Sequence, residues 1–413
     1  MALHVMDEAN RCLQCKTPLC RKGCPINTNI PEVIKLLKEN HLDEAGKMLF
    51  ENNPLTTVCS LVCDHEKQCE GHCILARKGA PVHFSTIEHY VSTTYAHKMN
   101  ESPAPSNGMR VAIVGSGPAG ITIAIILATY GYQVTIFDSK EKTGGVLRYG
   151  IPEFRLPHSI LNDIEERHLI ARGIKIRPNT LIGGAIGLDD LFNDGYKAIF
   201  VGTGVWKPNS LKIKGETFGH VHYAINYLNS PDSFRLGNKV IVIGAGNAAM
   251  DVARTALRKG VTDLTCFSIT KEVAASHYEF SYATLEGVRF EYSKKPIEIT
   301  DYGVIFIDVE EHEDGSFTEV LNTEQLYEAD SIIISISQGP QNNIIKTTEG
   351  LDANKRGLLT TDESGHTTRE GVFASGDVVR GARTVVEAVA HSKEVAEAMH
   401  QYMQGLEASS KEK

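Results

Sequence analysis

Two glycine-rich turns, each set between an apolar strand and a helix, constrain this chain more than any other feature of it. The first runs Arg110-Val-Ala-Ile-Val114, then Gly115-Ser-Gly117-Pro118-Ala119-Gly120, then an apolar helix from Ile121 to Tyr130. Glycines there permit a tight turn and close approach of the backbone to a pyrophosphate, while the helix N-terminus favours the anion. The strand Val134-Thr-Ile-Phe-Asp138 follows and ends in a carboxylate at about the interval expected of a ribose-binding acid. The second turn is Gly244-Ala-Gly246-Asn247-Ala248-Ala249, after the strand Lys239-Val-Ile-Val-Ile243, with alanine at the third glycine position as the fingerprint permits. A lone G-x-G-x-x-G says little. With strands on both sides and Asp138 at the end of one of them, the pattern predicts two nucleotide-binding folds and so two nucleotides.

Between the two turns, Lys197 to Gly204 reads as a strand leaving the first fold, and Asp330 to Ser337 as the strand returning to it. The second fold is therefore expected to be inserted into the first. Gly371-Val-Phe-Ala-Ser-Gly376-Asp377 and a helix from about Thr384 to Met403 close the chain, and Gly405 to Lys413 is expected to be a loose polar tail.

Eight of the nine cysteines lie between residues 12 and 73. They form two runs: Cys12, Cys15, Cys20 and Cys24 followed by Pro25, then Cys59, Cys63, Cys69 and Cys73. Several thiolates converging on a small volume, in a run ending in Cys-Pro, are how iron–sulfur clusters are held. Structural zinc is the rival reading, because each run could also furnish one tetrahedral site. Zinc, however, would leave the nucleotide folds downstream without an electrical connection. Disulfides need an oxidising compartment, and the start of this sequence has neither a basic nor an apolar leader segment, so a cytoplasmic location is expected.

The first hundred residues read as helical. Pro31-Glu-Val-Ile-Lys-Leu-Leu-Lys sets Val33, Ile34, Leu36 and Leu37 along one stripe, Leu42 to Phe50 continues as a second helix, and Asn100 to Gly108 is a turn-rich linker. The net charge of −9 falls wholly beyond residue 100, since residues 1–100 carry eleven basic and eleven acidic side chains. No basic stripe points to nucleic acid, and no apolar run approaches the roughly 18 to 20 residues of a membrane helix. Isolated histidines such as His158, His168 and His277 read as surface or helix-packing residues.

Taken in order, the cysteine pattern, Gly115-x-Gly117-x-x-Gly120, Gly144-Gly145-Val-Leu-Arg148-Tyr-Gly-Ile-Pro-Glu-Phe-Arg-Leu-Pro157, Gly244-x-Gly246-Asn247-x-Ala-Met-Asp251 and Gly376-Asp377 resemble the small-subunit family of NADPH-dependent glutamate synthase. That family includes the electron-input half of dihydropyrimidine dehydrogenase and the large subunit of ferredoxin-linked transhydrogenases. The resemblance runs from about Glu8 to Met403. It implies FAD on the first fold, held by Gly115, Gly117, Pro118, Ala119, Gly120, Gly144, Gly145, Arg148, Gly204 and Thr384, with Asp138 on the adenosine ribose and Gly376 and Asp377 near the ribityl or pyrophosphate portion. NADPH or NADH would lie on the second fold, against Gly244, Gly246, Asn247, Ala248 and Lys271. Two [4Fe-4S] clusters are implied, an outer one on Cys12, Cys15, Cys20 and Cys73, and an inner one on Cys24, Cys63, Cys69 and Glu88, with Cys59 spare. The plain alternative for Glu88 is a solvated helix carboxylate.

The same resemblance implies an oxidoreductase whose chemistry belongs to its cofactors, passing electrons to an FMN-containing partner: the glutamate synthase large subunit or a dihydropyrimidine dehydrogenase subunit. A non-catalytic regulatory subunit is the alternative of another class. One departure concerns the coenzyme. Where relatives place arginines suited to a 2′-phosphate, this chain has Cys266-Phe-Ser-Ile-Thr-Lys271, with no acid for a free ribose either, so NADH against NADPH stays open. A disulfide reductase shares the two-nucleotide plan but needs a dithiol, and Cys266 is the only cysteine beyond residue 73. The expected fold is thus α/β, two nested Rossmann-like domains preceded by an α-helical iron–sulfur domain: residues 1–105 helical, 106–212 with 338–413 for FAD, and 213–337 for NAD(P)H.

Overall fold

The computed structural model describes residues 2–99 and 101–411, so Asn100 of the expected linker lies outside it. The chain divides into two compact units, one of residues 1–148, 153–205 and 339–413, the other of 149–152 and 206–338. The second unit takes in 206–212 as well as the expected 213–337. The adjoining segment is tied to it, because the Glu216 carboxylate accepts the N–H groups of Leu211 and Lys212 and the Tyr223 hydroxyl, while Ile299 donates its N–H to the Lys214 carbonyl at 2.9 Å.

The first unit opens with helices Ala2–Arg11, Leu19–Gly23, Ile30–Lys38, Leu42–Asn52, Thr56–Val62 and Phe84–Lys98. Pro31 sits in the first turn of its helix, where a missing N–H costs nothing. Ile30, Val33, Ile34 and Leu37 recur at helical spacing and are buried against Val5, Ala9, Leu49, Ile87 and Val91, with Leu36 half-buried at the edge of the stripe. Cys12, Cys20, Cys24 and Cys73 pack against this same core. Apolar burial thus fixes the segments that carry the thiols.

A five-stranded parallel sheet follows, in the order Val372–Ala374, Ala198–Val201, Arg110–Val114, Gln133–Phe137, Lys175–Arg177. Its central strands are buried on both faces, as apolar runs without alternation require. Helix Pro118–Thr129 lies on the sheet, and the long helix Val385–Lys411 packs on that helix. The expected loose tail is corrected here: the helix runs through Gly405 to Lys411, since one interior glycine costs about 1 kcal/mol without ending a helix.

The second unit holds its own parallel sheet, ordered Val221–Tyr223, Ser331–Ile334, Lys239–Ile243, Asp263–Phe267, Arg289–Glu291. Ser331–Ile334 therefore belongs to this sheet and is not the strand returning to the first; Val372–Ala374 fills that place. A short, wholly apolar run names no sheet. An antiparallel sheet of Lys294–Thr300, Gly303–Glu311, Phe317–Glu319 and Gln325–Glu328 completes the unit, and Phe306 from it stacks on Phe267 with ring centroids 4.0 Å apart.

Candidate functional site

In the first unit the candidate cradle lies beyond the carboxyl ends of the parallel strands, where this fold class binds ligands. Gly117 precedes helix Pro118–Thr129, and a side chain at Gly117 would meet nothing within 4 Å, leaving the helix N-terminus open to an anion. Gly120 is held by close approach instead, because a Cβ there would lie 1.9 Å from the Gly115 carbonyl oxygen. The second glycine pair folds onto this turn: Gly144 donates its N–H to Ser116 O at 2.9 Å, and the ideal Cβ of Gly145 falls 2.7 Å from Gly117 Cα. Gly376 adjoins Ala119, with 3.1 Å between its ideal Cβ and the alanine's. Asp377 starts a short helix, and burial pushes its carboxyl up to about 6, countered by the Arg383 N–H that it accepts.

The other residues expected here also make bonds within the protein. Asp138 is buried at the end of its strand; its Oδ2 accepts the N–H of Ser116 at 2.7 Å and the Ser116 hydroxyl, and its Oδ1 the N–H of Lys140 at 2.8 Å. It braces the glycine turn. Arg148 donates to Thr143 O and Asn162 Oδ1, and Gly204 lies past the strand Ala198–Val201 at φ 68°. Thr384 caps the long helix reciprocally: its hydroxyl and N–H donate to Glu387, whose own N–H returns to the Thr384 hydroxyl. The sequence reading overlooked Glu165, which accepts both the N–H and the hydroxyl of Thr143 beside the Gly144-Gly145 turn. It sits in a π-helical turn, Ile164–Leu169, whose His168 packs against Phe50 at 4.9 Å between ring centroids.

The cysteines form two sets that interleave the two sequence runs. Cys12, Cys15, Cys20 and Cys73 line an apolar cavity of about 310 Å3 walled by Ile30, Pro31, Ile34, Val82 and Phe84, with Cys69 also on its wall. Burial pushes the Cys20 thiol up to about 11, and the thiols of Cys73, Cys12 and Cys15 press the same way. The second set is Cys24, Cys63, Cys69 and Glu88. Burial raises Cys69 well above a thiol's ordinary value, helped by the Glu88 carboxylate and by Cys24; Cys63 is raised by the Cys59 side chain first, then by burial, Glu88 and Cys69. Glu88 is only 6% exposed, and burial pushes it up to about 7. It is no solvated carboxylate.

Helix Thr56–Val62 supports this second set from one side. The Thr56 hydroxyl donates to Glu88 Oε1 at 2.7 Å in a buried bond, and Cys59, one turn on, is buried beside Cys63. Neither role was legible in the sequence, since a helical hydroxyl carries no motif. A polar chain continues toward the first nucleotide fold: Cys24 Sγ donates to Thr28 Oγ1, Asn52 Nδ2 donates to the same hydroxyl, and Lys393 of the long helix donates to Asn52 O and Oδ1 at 2.7 and 2.9 Å. Among the described residues no three His, Cys, Asp or Glu side chains crowd one point as around a single metal ion; the first set of thiols rims a cavity instead. Thiols on an apolar wall, around a space of that size, suit a polynuclear cluster.

In the second unit Gly244 has φ 126°, and a Cβ there would meet Ser335 O at 2.2 Å, so the turn presses on a neighbouring strand. Gly246 precedes helix Asn247–Arg258 and faces open space. Asn247 accepts the N–H of Ser276 at 2.8 Å, and Ala248 is exposed. Ser268, at the end of the second strand, is buried, with its hydroxyl bonded to Thr270 at 2.8 Å. Lys271 is exposed, and its N–H donates to the Glu311 carboxylate at 3.1 Å. An acid therefore stands beside the one cation proposed for a 2′-phosphate. Cys266 is wholly buried in the sheet, far from any second cysteine in sequence.

Residues 2–100 match the family model described as dihydropyrimidine dehydrogenase domain II, 4Fe-4S cluster, and residues 109–392 that of pyridine nucleotide-disulphide oxidoreductase. The chain is 31% identical to the glutamate synthase [NADPH] small chain of Azospirillum brasilense, over 96% of this chain and 88% of that one. It is 32% identical to the NAD-dependent dihydropyrimidine dehydrogenase subunit PreT of Escherichia coli, over 98% and 95%. Among solved structures it resembles Mycobacterium tuberculosis FprA in complex with NADPH, with a TM-score of 0.63, 15% identity and coverage of 74% and 86%. It also resembles T. acidophilum thioredoxin reductase in fold, with a TM-score of 0.53, 22% identity and coverage of 72% and 98%. No helix among the described residues is long and apolar enough to cross a membrane.

Proposed function

Because the chain belongs to the pyridine nucleotide-disulphide oxidoreductase family and carries a 4Fe-4S domain ahead of it, we propose that it oxidises NAD(P)H and feeds the electrons, through FAD and two [4Fe-4S] clusters, to a partner protein. The observation that carries this reading is the joining of two cysteine sets and an FAD-type glycine cradle within one compact unit. When bound, the flavin takes up a hydride and the clusters relay single electrons.

The chain's own residues supply binding and orientation. Gly115, Gly117 and Gly120 open the helix N-terminus to the flavin pyrophosphate, Gly144 and Gly145 close over that turn, and Asp138 and Glu165 hold the two loops. Cys12, Cys15, Cys20 and Cys73 hold the outer cluster; Cys24, Cys63, Cys69 and Glu88 hold the inner one, with Thr56 fixing one Glu88 oxygen and leaving the other for iron. Gly244, Gly246 and Asn247 form the nicotinamide dinucleotide turn. Disulfide reduction is not the reaction, because no dithiol follows residue 73.

The relatives named above are subunits, which supports a second subunit carrying the substrate chemistry, and FMN there would accept single electrons. Reduced nicotinamide should therefore bleach bound flavin in the isolated chain, while neither glutamate formation nor pyrimidine reduction occurs until the partner is added. Turnover of a carbon substrate by this chain alone would overturn the requirement for a partner.

A further inference from the structure

The polar chain that starts at Cys24 ends on a cation that no carboxylate balances. Lys393, on the long helix Val385–Lys411, is half-buried, and its Nζ donates to Asn52 O at 2.7 Å and to Asn52 Oδ1 at 2.9 Å. Burial alone pushes its pKa below the ordinary lysine value, with no carboxylate among the described residues near enough to push back. Taking a lone ammonium out of water costs free energy unless something negative offsets it. One offset is local, because Asn52 ends helix Leu42–Asn52, whose last carbonyls lack partners and attract a cation. That accounts for the bond to Asn52 O. The bond to Oδ1 leads further.

Every link beyond it points the same way. The Asn52 amide is fixed in orientation, since Oδ1 faces a group that can only donate, while Nδ2 reaches Ile26 O, which can only accept, at 3.2 Å. Nδ2 also donates to Thr28 Oγ1 at 3.2 Å, and that hydroxyl, on a residue only 4% exposed, lies 3.4 Å from Cys24 Sγ. A cysteine bound to iron is a thiolate with no proton to give, so there the Thr28 hydroxyl donates to the sulfur. Lys393, Asn52, Thr28 and Cys24 then form an unbroken series of donors with a positive charge at its far end, and each bond polarises the next.

We propose that Lys393 sets the potential of the inner cluster: through Asn52 and Thr28 it directs positive charge and an O–H donor at the Cys24 sulfur, and so favours the reduced state. This role rests on the reading above that Cys24, Cys63, Cys69 and Glu88 hold a [4Fe-4S] cluster. All four ligands are anions, so an added electron enlarges a negative charge that a nearby ammonium and hydrogen bonds to the sulfurs stabilise. Reduction places one electron from the flavin on the cluster; Lys393 keeps its proton, and no covalent bond in the series forms or breaks. Lys393 touches no cluster ligand itself and is a positioning residue.

The test uses the full chain, isolated anaerobically with its flavin and iron, in a redox titration followed by electron paramagnetic resonance. The inner signal is the one that Glu88→Ala alters, and the outer signal is the internal reference. Lys393→Met keeps the length of the stem and removes the charge, Lys393→Arg keeps the charge, and Thr28→Val keeps Lys393 but takes the hydroxyl out of the series. The expected inner midpoint in Lys393→Met is lower by about 59 mV or more, a tenfold change in the ratio of reduced to oxidised cluster at a given potential. Thr28→Val should move it in the same direction, and Lys393→Arg should return it toward the wild-type value. Iron and sulfide content and the outer midpoint should stay as in the wild type. If Lys393 only caps helix Leu42–Asn52, Lys393→Met lowers the denaturation midpoint and leaves the inner potential in place, which overturns the proposal. An equal shift of both clusters overturns it too. Should Lys393→Met not fold, Thr28→Val decides, an unmoved inner midpoint being the contrary result. A wild-type chain with fewer than two cluster signals would instead overturn the two-cluster reading on which the role rests.

Discussion

Glu88 and Thr56 show what a single buried bond can decide. If Glu88 holds the inner cluster through the oxygen that Thr56 leaves free, Glu88→Ala should deplete or alter one of two cluster signals in electron paramagnetic resonance while flavin content survives, and Cys59→Ser should leave both signals present. Thr56→Val removes the donor without changing the shape. Hydrogen bonds to cluster ligands stabilise the reduced, more negative state, so the inner midpoint potential should move negative by up to about 59 mV, a tenfold change for one electron. Thr56→Ser should restore it. An unchanged signal in Glu88→Ala would mean that another side chain is the ligand. His168 offers a pH test of a different kind. Burial lowers it to about 4 from an ordinary 6.5, so the unfolded chain binds the extra proton between those values and stability falls as pH drops through that window, by up to about 3 kcal/mol. His168→Leu should flatten that part of a denaturation profile; an unchanged slope would assign the effect elsewhere. These contacts were hard to read beforehand. Linear order groups the cysteines in fours, whereas folding puts Cys24 beside Cys69 and Cys73 beside Cys12, so only likeness to a family suggested the mixed sets.

At the scale of elements, the glycine turns are where geometry leaves least room. Gly120→Val would drive a side chain into the Gly115 carbonyl, and Gly145→Val into Gly117 Cα, so both should purify without flavin, which the absorption spectrum checks. Thr384→Ala loses the reciprocal cap of a 27-residue helix and should cost about 1 kcal/mol in chemical denaturation. In the second fold, buried Ser268 cannot accept an arginine as an exposed loop would, and Glu311 stands beside Lys271. Discrimination against NADH should therefore be weak: a ratio of kcat/KM favouring NADPH by more than about a hundredfold, or roughly 2.7 kcal/mol, would show a phosphate grip elsewhere. The strand–turn–helix units were legible because period and glycine placement agree there. Ser331–Ile334 was not, because a strand buried on both faces reads as apolar whichever sheet receives it. The antiparallel sheet from Lys294 to Glu328 has no strict alternation of buried and exposed positions, and no motif singled it out.

At the scale of the whole molecule, one compact unit holds the thiol sets and the flavin cradle, and the other holds a second nucleotide turn. Function of this kind is more legible than detail, because redox relays need dense cysteines and glycine turns in one chain, whereas no residue pattern of fixed spacing names the partner. Anaerobically isolated protein should contain about eight iron and eight acid-labile sulfide per chain; stoichiometric zinc without sulfide would replace the relay with a structural domain. The most direct measurement is an anaerobic titration of that protein with NADH and with NADPH, followed by visible absorption. The account predicts that one of the two bleaches the flavin band within two equivalents per chain, two electrons for the flavin and one for each cluster, and that a one-electron acceptor then restores it. A flavin band that neither nucleotide bleaches would contradict it.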